Sequence, residues 1–587
     1  MPRIAVVNKE KCNPQGCGGY LCIRVCPVNR EGSECIVIDT DKKVKIDETL
    51  CTGCGICPNR CPFGAIDIIN LPEALSRPIH RYGRNGFHLY QLPTPMFGQV
   101  VGILGRNGIG KSTALRIVAG MLKPNLGKDK EAEWDEVLEH FKGTEAQNYF
   151  EKLKSGKIKV SFKPQQVDLI PKTTKGTVLE LLRKVDEQEK LAEIMDALDI
   201  TDIKNNDIST VSGGELQRIA IAACALRDAD LYVFDEPSSY LDIKQRIKMC
   251  EFIKSLAASK TAVLVVEHDL LILDAMCDLI HIMYGKEGAY GVVSLPKAVR
   301  VGINYFLDGF IRDENMRFRD RELKFVAHEH YQKILNTPTL TSWNTITKQL
   351  EKFKLQVNEG LLHKNTTYGV LGENGTGKTT FVKILAGLIK PDDGVVDASI
   401  KVSYKPQYIQ TDSEEIVAAV LQHALQHYEV QLIRPLGIKD LLLKPLNTLS
   451  GGELQRVAVA HALSQPADLY LLDEPSAYLD VEQRIACAKV IKDVVAARGT
   501  TVLVVDHDLM FMDYLSDNLM VFSGRPARQG NATGPFSMVD GMNRFLQELK
   551  ITMRREKETQ RPRINKPESR LDREQKASGK LYYSKSN

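Results

Sequence analysis

Two runs of cysteines near the start of the chain have the spacing of metal ligands. Nine of the thirteen cysteines lie between residues 12 and 61, and eight of those nine fall into the two runs. Both runs end in Cys-Pro, and their members are Cys12, Cys17, Cys22 and Cys26, and Cys51, Cys54, Cys57 and Cys61. Thiolates are soft ligands that suit iron in a tetrahedral field. The pattern predicts a metal centre, and we interpret the other cysteines as packing residues: Cys35, Cys224, Cys250, Cys277 and Cys487.

The second run matches the motif of bacterial ferredoxins, and the first resembles it with looser spacing. In two-cluster ferredoxins the last cysteine of each run binds the cluster of the other run. We therefore expect two 4Fe-4S clusters, one held by Cys12, Cys17, Cys22 and Cys61, the other by Cys51, Cys54, Cys57 and Cys26. Structural zinc is the alternative, since two Cys-x2-Cys pairs would suffice for it. Two runs that both close with Cys-Pro favour iron–sulfur.

Two glycine-rich segments, called the glycine loops below, have the composition of phosphate-binding loops. Each lies between a short apolar run and a helical pattern, as Val100–Leu104 and Ala114–Met121 do around the first. Glycines let backbone N–H groups converge on a phosphate, the lysine adds a positive charge, and the next hydroxyl can bind Mg²⁺. The residues predicted to do so are Gly105, Asn107, Gly108, Gly110, Lys111, Ser112 and Thr113, and Gly372, Asn374, Gly375, Gly377, Lys378, Thr379 and Thr380.

An acid pair ends each of two apolar strand patterns, Leu231–Asp235 and Leu469–Asp473. The first acid can hold Mg²⁺ through water, and the second can orient or deprotonate an attacking water. A histidine after the next strand pattern is placed to touch a γ-phosphate. In chain order these residues are Asp235, Glu236 and His268, and Asp473, Glu474 and His507.

The motifs recur, so the chain contains two homologous units. Lys111 and Lys378 are 267 residues apart, whereas His268 and His507 are 239 apart. The first unit therefore carries an insertion, which we place at about residues 128–159 and predict to be two helices, with a capping box formed by Thr144 and Gln147. Packing of its apolar face on the parent domain and binding of a partner are both open interpretations.

The segment Ser-Gly-Gly-Glu-Leu-Gln-Arg begins a predicted helix in each unit, at Ser212 and at Ser450. A helix N-terminus of this composition can bind an anion, although by itself it could be an ordinary capped start. Together with the glycine loops and acid pairs, the segment resembles the signature motif of ABC-type ATPases. The fold class that follows is α/β, with two ABC-type nucleotide-binding domains in tandem behind an α+β ferredoxin-like domain.

The resemblance to ABC-type ATPases implies roles for further residues. ATP is hydrolysed with Mg²⁺ in two composite sites, each pairing one unit's glycine loop with the other's signature, so that Lys111 faces Ser450 and Lys378 faces Ser212. The glutamines Gln165 and Gln407 contact Mg²⁺. The aspartates Asp242 and Asp480 signal across the interface. Signature contacts to ATP come from Ser212, Gly213, Gly214, Ser450, Gly451 and Gly452, and adenine stacks on Phe87 or Tyr82 and on Phe353.

The expected domains are a ferredoxin-like domain (1–72), a first nucleotide-binding domain (73–293), a hinge segment (294–340), a second nucleotide-binding domain (341–530), and a second hinge with a basic tail (531–587). The chain has a net charge of +4, and the tail from Ile551 to Asn587 holds eleven Lys or Arg against five Asp or Glu. The sequence has neither a run of about 20 apolar residues nor a signal peptide. We expect a soluble, cytoplasmic monomer with an internal pseudo-dimer.

Over nearly its whole length the chain resembles the E subfamily of ABC proteins, the ribosome-recycling or RNase L inhibitor family. The segments that carry this closer likeness are the insertion, Tyr240–Arg246, Tyr478–Arg484 and Arg561–Lys566. The resemblance implies a translation factor that splits ribosomes by moving the iron–sulfur domain when ATP closes the two halves. Its implied partners are the small ribosomal subunit, rRNA and ribosomal proteins, a release factor or its rescue paralogue, and initiation factors.

Two other functions stay open at this point. ATP-gated electron transfer through the clusters would make the protein a redox enzyme, although no flavin or substrate motif supports that hypothesis. The chain could also be the detached ATPase of a transporter. The hinge arginines and the basic tail suit rRNA phosphates, a salt-sensitive contact, and a solvated surface is the alternative for them.

Overall fold

The computed structural model describes residues 3–70, 77–325, 337–397, 400–407 and 412–583. The chain forms two compact units, of which the first comprises Met1–Pro237, Phe252–Glu267 and Cys277–Asp320. The second comprises Ser238–Glu251, His268–Met276 and Arg321–Asn587. No helix within the described ranges is long and apolar enough to cross a membrane. Part of the predicted first hinge, residues 326–336, lies outside the described residues.

The cysteine-rich region is a small α+β domain of two hairpin-like sheets and three short helices. Its elements are β1 (Arg3–Val7), α1 (Leu21–Val25), α2 (Pro27–Arg30), β2 (Ile36–Ile38), β3 (Val44–Ile46), α3 (Ile56–Arg60) and β4 (Ile66–Asn70). Strand β1 pairs antiparallel with β4, and β2 pairs antiparallel with β3. Cys26 caps the end of α1 and Cys61 that of α3. The proline after each cysteine cannot continue the hydrogen-bond ladder of the helix that ends there.

The rest of the first repeat is built on one large sheet. Its elements are β5 (His80–Arg81), β6 (His88–Tyr90), β7 (Val100–Gly105), α4 (Lys111–Val118), α5 (Trp134–His140), α6 (Glu145–Lys154), β8 (Val160–Lys163), α7 (Ile170–Thr173), α8 (Val178–Arg183), α9 (Leu191–Ala197), α10 (Gly213–Ala225), β9 (Leu231–Asp235), α11 (Ile243–Leu256), β10 (Ala262–Val266), α12 (Leu270–Met276), β11 (Leu279–Lys286), β12 (Tyr290–Val293), β13 (Lys297–Ala298), α13 (Val299–Asp308), β14 (Phe310–Ile311) and β15 (Met316–Arg317). The strand order is β5-β6-β12-β11-β7-β10-β9-β8. Strands β11, β7, β10, β9 and β8 are parallel. Strands β7, β9 and β10 are buried along their whole length, which explains their unbroken apolar sequences.

The second repeat has the same architecture. Its elements are β16 (Thr339–Trp343), β17 (Ile346–Leu350), β18 (Phe353–Val357), β19 (Gly360–His363), β20 (Thr367–Gly372), α14 (Lys378–Leu385), β21 (Val402–Lys405), α15 (Val417–Val420), α16 (Gln422–His427), α17 (Gly451–Ser464), β22 (Leu469–Asp473), α18 (Val481–Arg498), β23 (Thr501–Val505), α19 (Leu509–Leu515), β24 (Asn518–Arg525), β25 (Gln529–Ser537), α20 (Met538–Leu549), β26 (Met553–Arg555), β27 (Pro562–Ile564) and α21 (Arg570–Ser578). The order β17-β18-β25-β24-β20-β23-β22-β21 matches the first sheet strand for strand. The predicted α/β tandem is therefore present.

The insertion of the first repeat is the helix pair α5–α6, as expected. Its apolar residues Val137, Phe141 and Phe150 belong to the buried core of the first repeat, and the Tyr149 hydroxyl donates to the Val118 carbonyl at 2.6 Å. The apolar face thus packs on the parent domain.

The predicted capping box in the insertion is wrong. The Thr144 hydroxyl donates to the Phe141 carbonyl at 2.6 Å, and Gln147 accepts from the Gly143 N–H at 2.9 Å. Gly143 is left-handed (φ 77°), so the chain turns one residue before Thr144. Gln147 therefore accepts from the N–H of Gly143, whereas a capping box would use the N–H of Thr144. The other helix, α5, carries a capping box formed by Glu133 and Glu136.

The C-terminal hairpin β26–β27 binds two aspartates that occupy equivalent places in the two repeats, both within the second unit. Arg563 makes a two-pronged ion pair with Asp274 of α12, at 2.6 and 2.8 Å. Arg555 donates to Asp513 of α19 at 3.2 Å. Arg561 is fully buried and lies 3.6 Å from Asp274. These three arginines are turned inward onto carboxylates, so the structure does not present them to rRNA; contact of the other basic residues of the hinges and tail with rRNA stays a prediction.

Replacing Asp274 with alanine is expected to destabilise the second unit by about 3–5 kcal/mol, because Arg563 and the buried Arg561 would lose their counter-charge. Urea unfolding of the full chain, followed by circular dichroism, measures the loss. Asp228→Ala is the control, since the Lys159–Asp228 pair is largely exposed and screened by water. Equal unfolding midpoints for the two variants would contradict this prediction.

Candidate ATP sites and iron–sulfur centre

Both glycine loops connect the central strand of a sheet to a helix. Gly110 and Gly377 stand directly before α4 and α14 in left-handed conformations, with φ of 88° and 95°. Lys111 donates to the carbonyl of Arg106 at 2.6 Å, and Lys378 to that of Glu373 at 2.7 Å. Burial lowers the pKa of Lys378 to about 8. Free N–H groups at a helix N-terminus beside a lysine form an anion site.

The acid pairs lie at the carboxyl ends of β9 and β22. Burial raises the pKa of Asp473 to about 6, and the Thr379 hydroxyl lies beside it. Neither oxygen of Asp473 has a hydrogen-bond partner of good geometry in the described ranges. In the first repeat, burial likewise raises the pKa of Asp235, with Ser112 beside it. A buried carboxylate with unused lone pairs next to a hydroxyl suits Mg²⁺, which prefers oxygen ligands.

The second acid of each pair is held by the glutamine that the resemblance assigned to Mg²⁺. Gln165 Nε2 donates to Glu236 Oε1 at 2.7 Å, and Gln407 Nε2 donates to Glu474 Oε1 at the same distance. Each glutamine thus reaches the acid pair of its own repeat. The carboxylate it holds is the one expected to orient or deprotonate water.

The two histidines are buried at 6 and 7% exposure. His507 Nε2 lies 3.4 Å from Glu474 Oε1. Burial by itself raises the pKa of Glu474, but His507 together with Lys378 and Lys405 lowers it below its usual value. His268 lies between β10 and α12 and belongs to the second unit.

The signature serines cap helices α10 and α17. Ser212 Oγ accepts from the Glu215 N–H and donates to the Glu215 carboxylate at 2.7 Å. Ser450 and Glu453 repeat this capping box, with the hydroxyl at 2.9 Å from the carboxylate. The two glycines after each serine are the first residues of the helix, where N–H groups lack intrahelical partners. The pairing of each signature with the other repeat's glycine loop stays a prediction.

Asp242 lies within the second unit, against the second glycine loop. Its Oδ2 accepts from the Asn374 N–H at 2.8 Å, while the Asn374 side chain donates to the Tyr240 carbonyl at 3.3 Å. The equivalent Asp480 caps α18 by accepting from the Gln483 N–H at 3.0 Å. Asp242 thus touches Asn374, a residue predicted to bind phosphate, and the signalling role of the two aspartates stays a prediction.

Of the aromatic residues predicted to stack on adenine, two pack against the glycine loops and one is exposed. The Phe87 ring fills the space beside Gly110 where a Cβ would stand, 2.6 Å from its ideal position, and Phe353 does the same beside Gly377. Tyr82 is 46% exposed, and its hydroxyl lies 3.2 Å from Thr113 Oγ1. The phenylalanines support the glycine loops from beneath, and Tyr82 offers an exposed ring at the edge of the first.

Sequence reasoning missed several residues that hold the acid pairs. Lys163 and Gln217 in the first repeat, and Lys405 and Gln455 in the second, donate to backbone carbonyls of the acid pairs. The repeated Lys-Pro-Gln and Leu-Gln-Arg triplets are the signals that could have identified them.

A repeated arginine was also missed. Arg246 donates to Asp269 at 2.9 Å, and Arg484 donates to Asp508 at 2.7 Å. Each aspartate follows a predicted γ-phosphate histidine directly. The arginine also donates to a backbone carbonyl before the signalling aspartate, that of Leu241 or Leu479. It therefore joins these two parts of the site.

The predicted cluster ligands form two groups in the cysteine domain. Burial raises the pKa of Cys22 to about 11, and Cys12, Cys61 and Cys17 are close enough to add to the shift. Burial raises that of Cys57 to about 12, with further contributions from its neighbours Cys51, Cys26, Cys54 and Cys22. Each group therefore contains the fourth cysteine of the other run. Cys35 is buried against Cys26 and Cys51.

Each group has the four cysteines that one 4Fe-4S cluster requires. Among the described residues, no three His, Cys, Asp or Glu side chains converge closely enough to hold one metal ion. A mononuclear zinc site requires sulfurs about 3.8 Å apart, from its Zn–S distance of about 2.3 Å. A 4Fe-4S cluster takes one thiolate at each of its four iron atoms. Cys12, Cys17, Cys22 and Cys61 line one cavity, so the residues of this group fit a cluster.

Comparison with known proteins covers the whole chain. The family model "ABC transporter" matches residues 96–239 and 355–477. The model "Possible Fer4-like domain in RNase L inhibitor, RLI" matches residues 2–34, and "4Fe-4S binding domain" matches residues 44–67.

Among curated relatives, the translation initiation factor RLI1 of Saccharomyces cerevisiae is 45% identical, over 99% of this chain and 98% of its own. A solved structure of ribosome-bound archaeal Pelota and ABCE1 aligns with a TM-score of 0.94 at 50% identity, covering 99% of both chains. The archaeal ribosome recycling factor aABCE1, solved with the ribosomal stalk protein aP1, aligns with a TM-score of 0.82 at 50% identity, over 86% of this chain and 99% of that one. The chain therefore belongs to the E subfamily of ABC proteins, the family of ABCE1 and the RNase L inhibitor.

Proposed function

We propose that this chain is an ATP-hydrolysing ribosome-recycling factor of the cytoplasm, in which closure of the two ABC domains on ATP moves the iron–sulfur domain and separates the ribosomal subunits. A relative of the same length was solved bound to a ribosome with Pelota, and another is named a ribosome recycling factor. The expected partners are the ribosome, a release factor or a Pelota-like rescue factor, and initiation factors. No observation favours electron transfer or transport instead.

The geometry supports hydrolysis by water at each glycine loop. Lys378 and the N–H groups at the start of α14 bind the phosphates, and Thr379 and Asp473 would hold Mg²⁺, which offsets charge on the transferred phosphoryl group. Glu474 takes a proton from the attacking water, since Gln407 fixes one of its oxygens and leaves the other free to accept. Lys111, Ser112, Asp235, Glu236 and Gln165 have the same roles in the first repeat.

A series of contacts from the first glycine loop to the iron–sulfur domain is the observation that carries the proposal. The side-chain oxygen of Asn85 accepts from the Ile46 N–H at 2.8 Å, and its backbone carbonyl accepts from Val7 at the same distance. Asn85 lies in the short loop between Tyr82 and Phe87, both of which contact the glycine loop. Nucleotide-dependent changes in that loop therefore reach the iron–sulfur domain directly.

The cysteines would hold two 4Fe-4S clusters, on Cys12, Cys17, Cys22 and Cys61 and on Cys51, Cys54, Cys57 and Cys26. When bound, each cluster would cross-link the two cysteine runs, because each group contains the last cysteine of the other run. The domain has only short strands, so such cross-links would make it stiff enough to transmit force. We propose a structural role for the clusters on this ground.

The catalytic assignment is tested with Glu236→Gln and Glu474→Gln combined in one chain. Steady ATP hydrolysis is expected to fall about 100-fold or more, since a general base contributes on that scale, while ATP binding is retained. Purified ribosomes incubated with ATP, a rescue factor and either protein are then sedimented to measure free subunits. Repeated rounds of splitting by the double variant, or none by the unaltered protein, would contradict the proposal.

Asn85→Gly is expected to preserve ATP hydrolysis and to reduce ribosome splitting, because it removes the amide that joins the iron–sulfur domain to the glycine-loop region. Glycine keeps the left-handed backbone of Asn85, whose φ is 56°, so strain does not confuse the result. Asn365→Gly is the matched control, a left-handed asparagine (φ 53°) on the surface of the second unit. Equal splitting by both variants would exclude the proposed path.

Cys54→Ser is expected to lower the iron content from about eight to about four atoms per chain, because it removes one ligand of a single 4Fe-4S cluster. Iron and acid-labile sulfide analysis of the purified protein measures the loss. Cys35→Ser is the control, since Cys35 is buried beside the same group but lies outside the assigned ligand set. Iron loss in the control alone would show that the ligand set is misassigned.

A further inference from the structure

Two buried lysines contact the acid pairs and have no role in the mechanism described so far. Lys163 ends β8 and Lys405 ends β21, and each is only 1% exposed. Lys163 Nζ donates to the carbonyls of Asp235 at 3.0 Å and Glu236 at 3.2 Å. Lys405 does the same to Asp473 and Glu474, at 2.7 and 3.2 Å. The same contact in both repeats argues against chance.

The backbone at these glutamates needs external support. Glu236 and Glu474 are left-handed, with φ of 47° and 49°, a conformation that is unfavourable for a residue other than glycine. The carbonyls of both acid-pair residues accept from buried side chains, and a buried carbonyl without a donor is unfavourable. The lysine ammonium supplies donors to both carbonyls at once.

A second donor reaches the same carbonyl from the signature helix. Gln217 Nε2 donates to the Glu236 carbonyl at 2.8 Å, and Gln455 Nε2 to that of Glu474 at 2.5 Å. Both glutamines are nearly fully buried, at 0 and 3% exposure. The glutamate backbone is thus held from the end of a strand and from the helix that carries the signature serine.

The spacing Lys-Pro-Gln explains how one segment binds both the backbone carbonyl and the carboxylate of the glutamate. Side chains two residues apart in an extended segment point to the same side, and proline keeps the residue before it extended. Lys163 therefore donates to the backbone carbonyl of Glu236, while Gln165 Nε2 donates to the carboxylate Oε1 of Glu236 at 2.7 Å. Lys405 and Gln407 act on Glu474 in the same way.

We propose that Lys163 and Lys405 are positioning residues for hydrolysis, which fix the left-handed backbone of the catalytic glutamate so that its carboxylate faces the attacking water. The inference rests on the proposed role of Glu236 and Glu474 as general bases. The lysines act through the glutamate backbone, so they should affect the chemical step and leave ATP binding unchanged.

The test removes one lysine while only one site hydrolyses. In a Glu474→Gln background, Lys163→Met is expected to lower kcat for ATP at least tenfold and to change KM less than threefold. Binding of a fluorescent ATP analogue should be unchanged. Lys405→Met in a Glu236→Gln background should behave alike. The controls are Lys159→Met and Lys401→Met, which alter exposed lysines just before the same strands.

The outcomes separate the lysine role from the glutamate role. If the double glutamine variant still hydrolyses ATP, the assignment of the glutamates fails whatever the lysines do. If it is inactive while Lys163→Met and Lys405→Met match their controls, only the lysine proposal is overturned. An equal loss of kcat and ATP affinity would also overturn it, since that indicates general disruption.

A second variant applies if methionine at Lys163 lowers the melting temperature. Gln217→Met removes the other donor from the same carbonyl and must likewise lower kcat with little change of KM.

Discussion

The chemistry of each repeat depends on parallel strands that end side by side. In the second sheet the order β20-β23-β22-β21 places four strand ends next to one another. They lead, in that order, into the glycine loop, His507, the acid pair at Asp473, and Gln407. Parallel strands align their carboxyl ends on one edge, where ligands bind in open α/β sheets. Lys378 and His507, 129 positions apart in the chain, therefore lie at the same edge of the sheet, and the first sheet repeats the order.

The strand ends bring the groups together, but buried polar contacts set their directions. The left-handed turn at Glu474 takes backbone donors from Lys405 and Gln455 and a carboxylate donor from Gln407. A buried carboxylate or carbonyl without a hydrogen-bond partner is unfavourable. The left-handed turn is stable because neighbouring side chains donate to both the carbonyl and the carboxylate of Glu474. The unused oxygens of Asp473 are the exception, and they are the ones that Mg²⁺ would use.

Longer connections rest on single polar residues. Asn85 joins the iron–sulfur domain to the loop that supports the first glycine loop, and Asp242 contacts the second glycine loop within the second unit. The C-terminal hairpin binds equivalent aspartates, Asp274 and Asp513, through Arg563 and Arg555. Helices α12 and α19, which carry these aspartates, follow the two histidines predicted to touch a γ-phosphate. We expect changes at the nucleotide to reach distant parts of the chain through these contacts.

The sequence by itself determined the α/β tandem, the glycine loops, the acid pairs and the cysteine runs, because phosphate, Mg²⁺ and iron each require particular residue types at short, fixed spacing. It also located the insertion, from the unequal offsets of its repeats. Tertiary structure decided what depends on burial and on contacts between distant segments. Arg561 and Arg563 are turned inward onto Asp274. Phe87 packs against a glycine loop, and Lys163 donates to the backbone carbonyl of Asp235. The sequence shows which side chains are charged or aromatic, but only packing in the folded chain decides what those side chains contact.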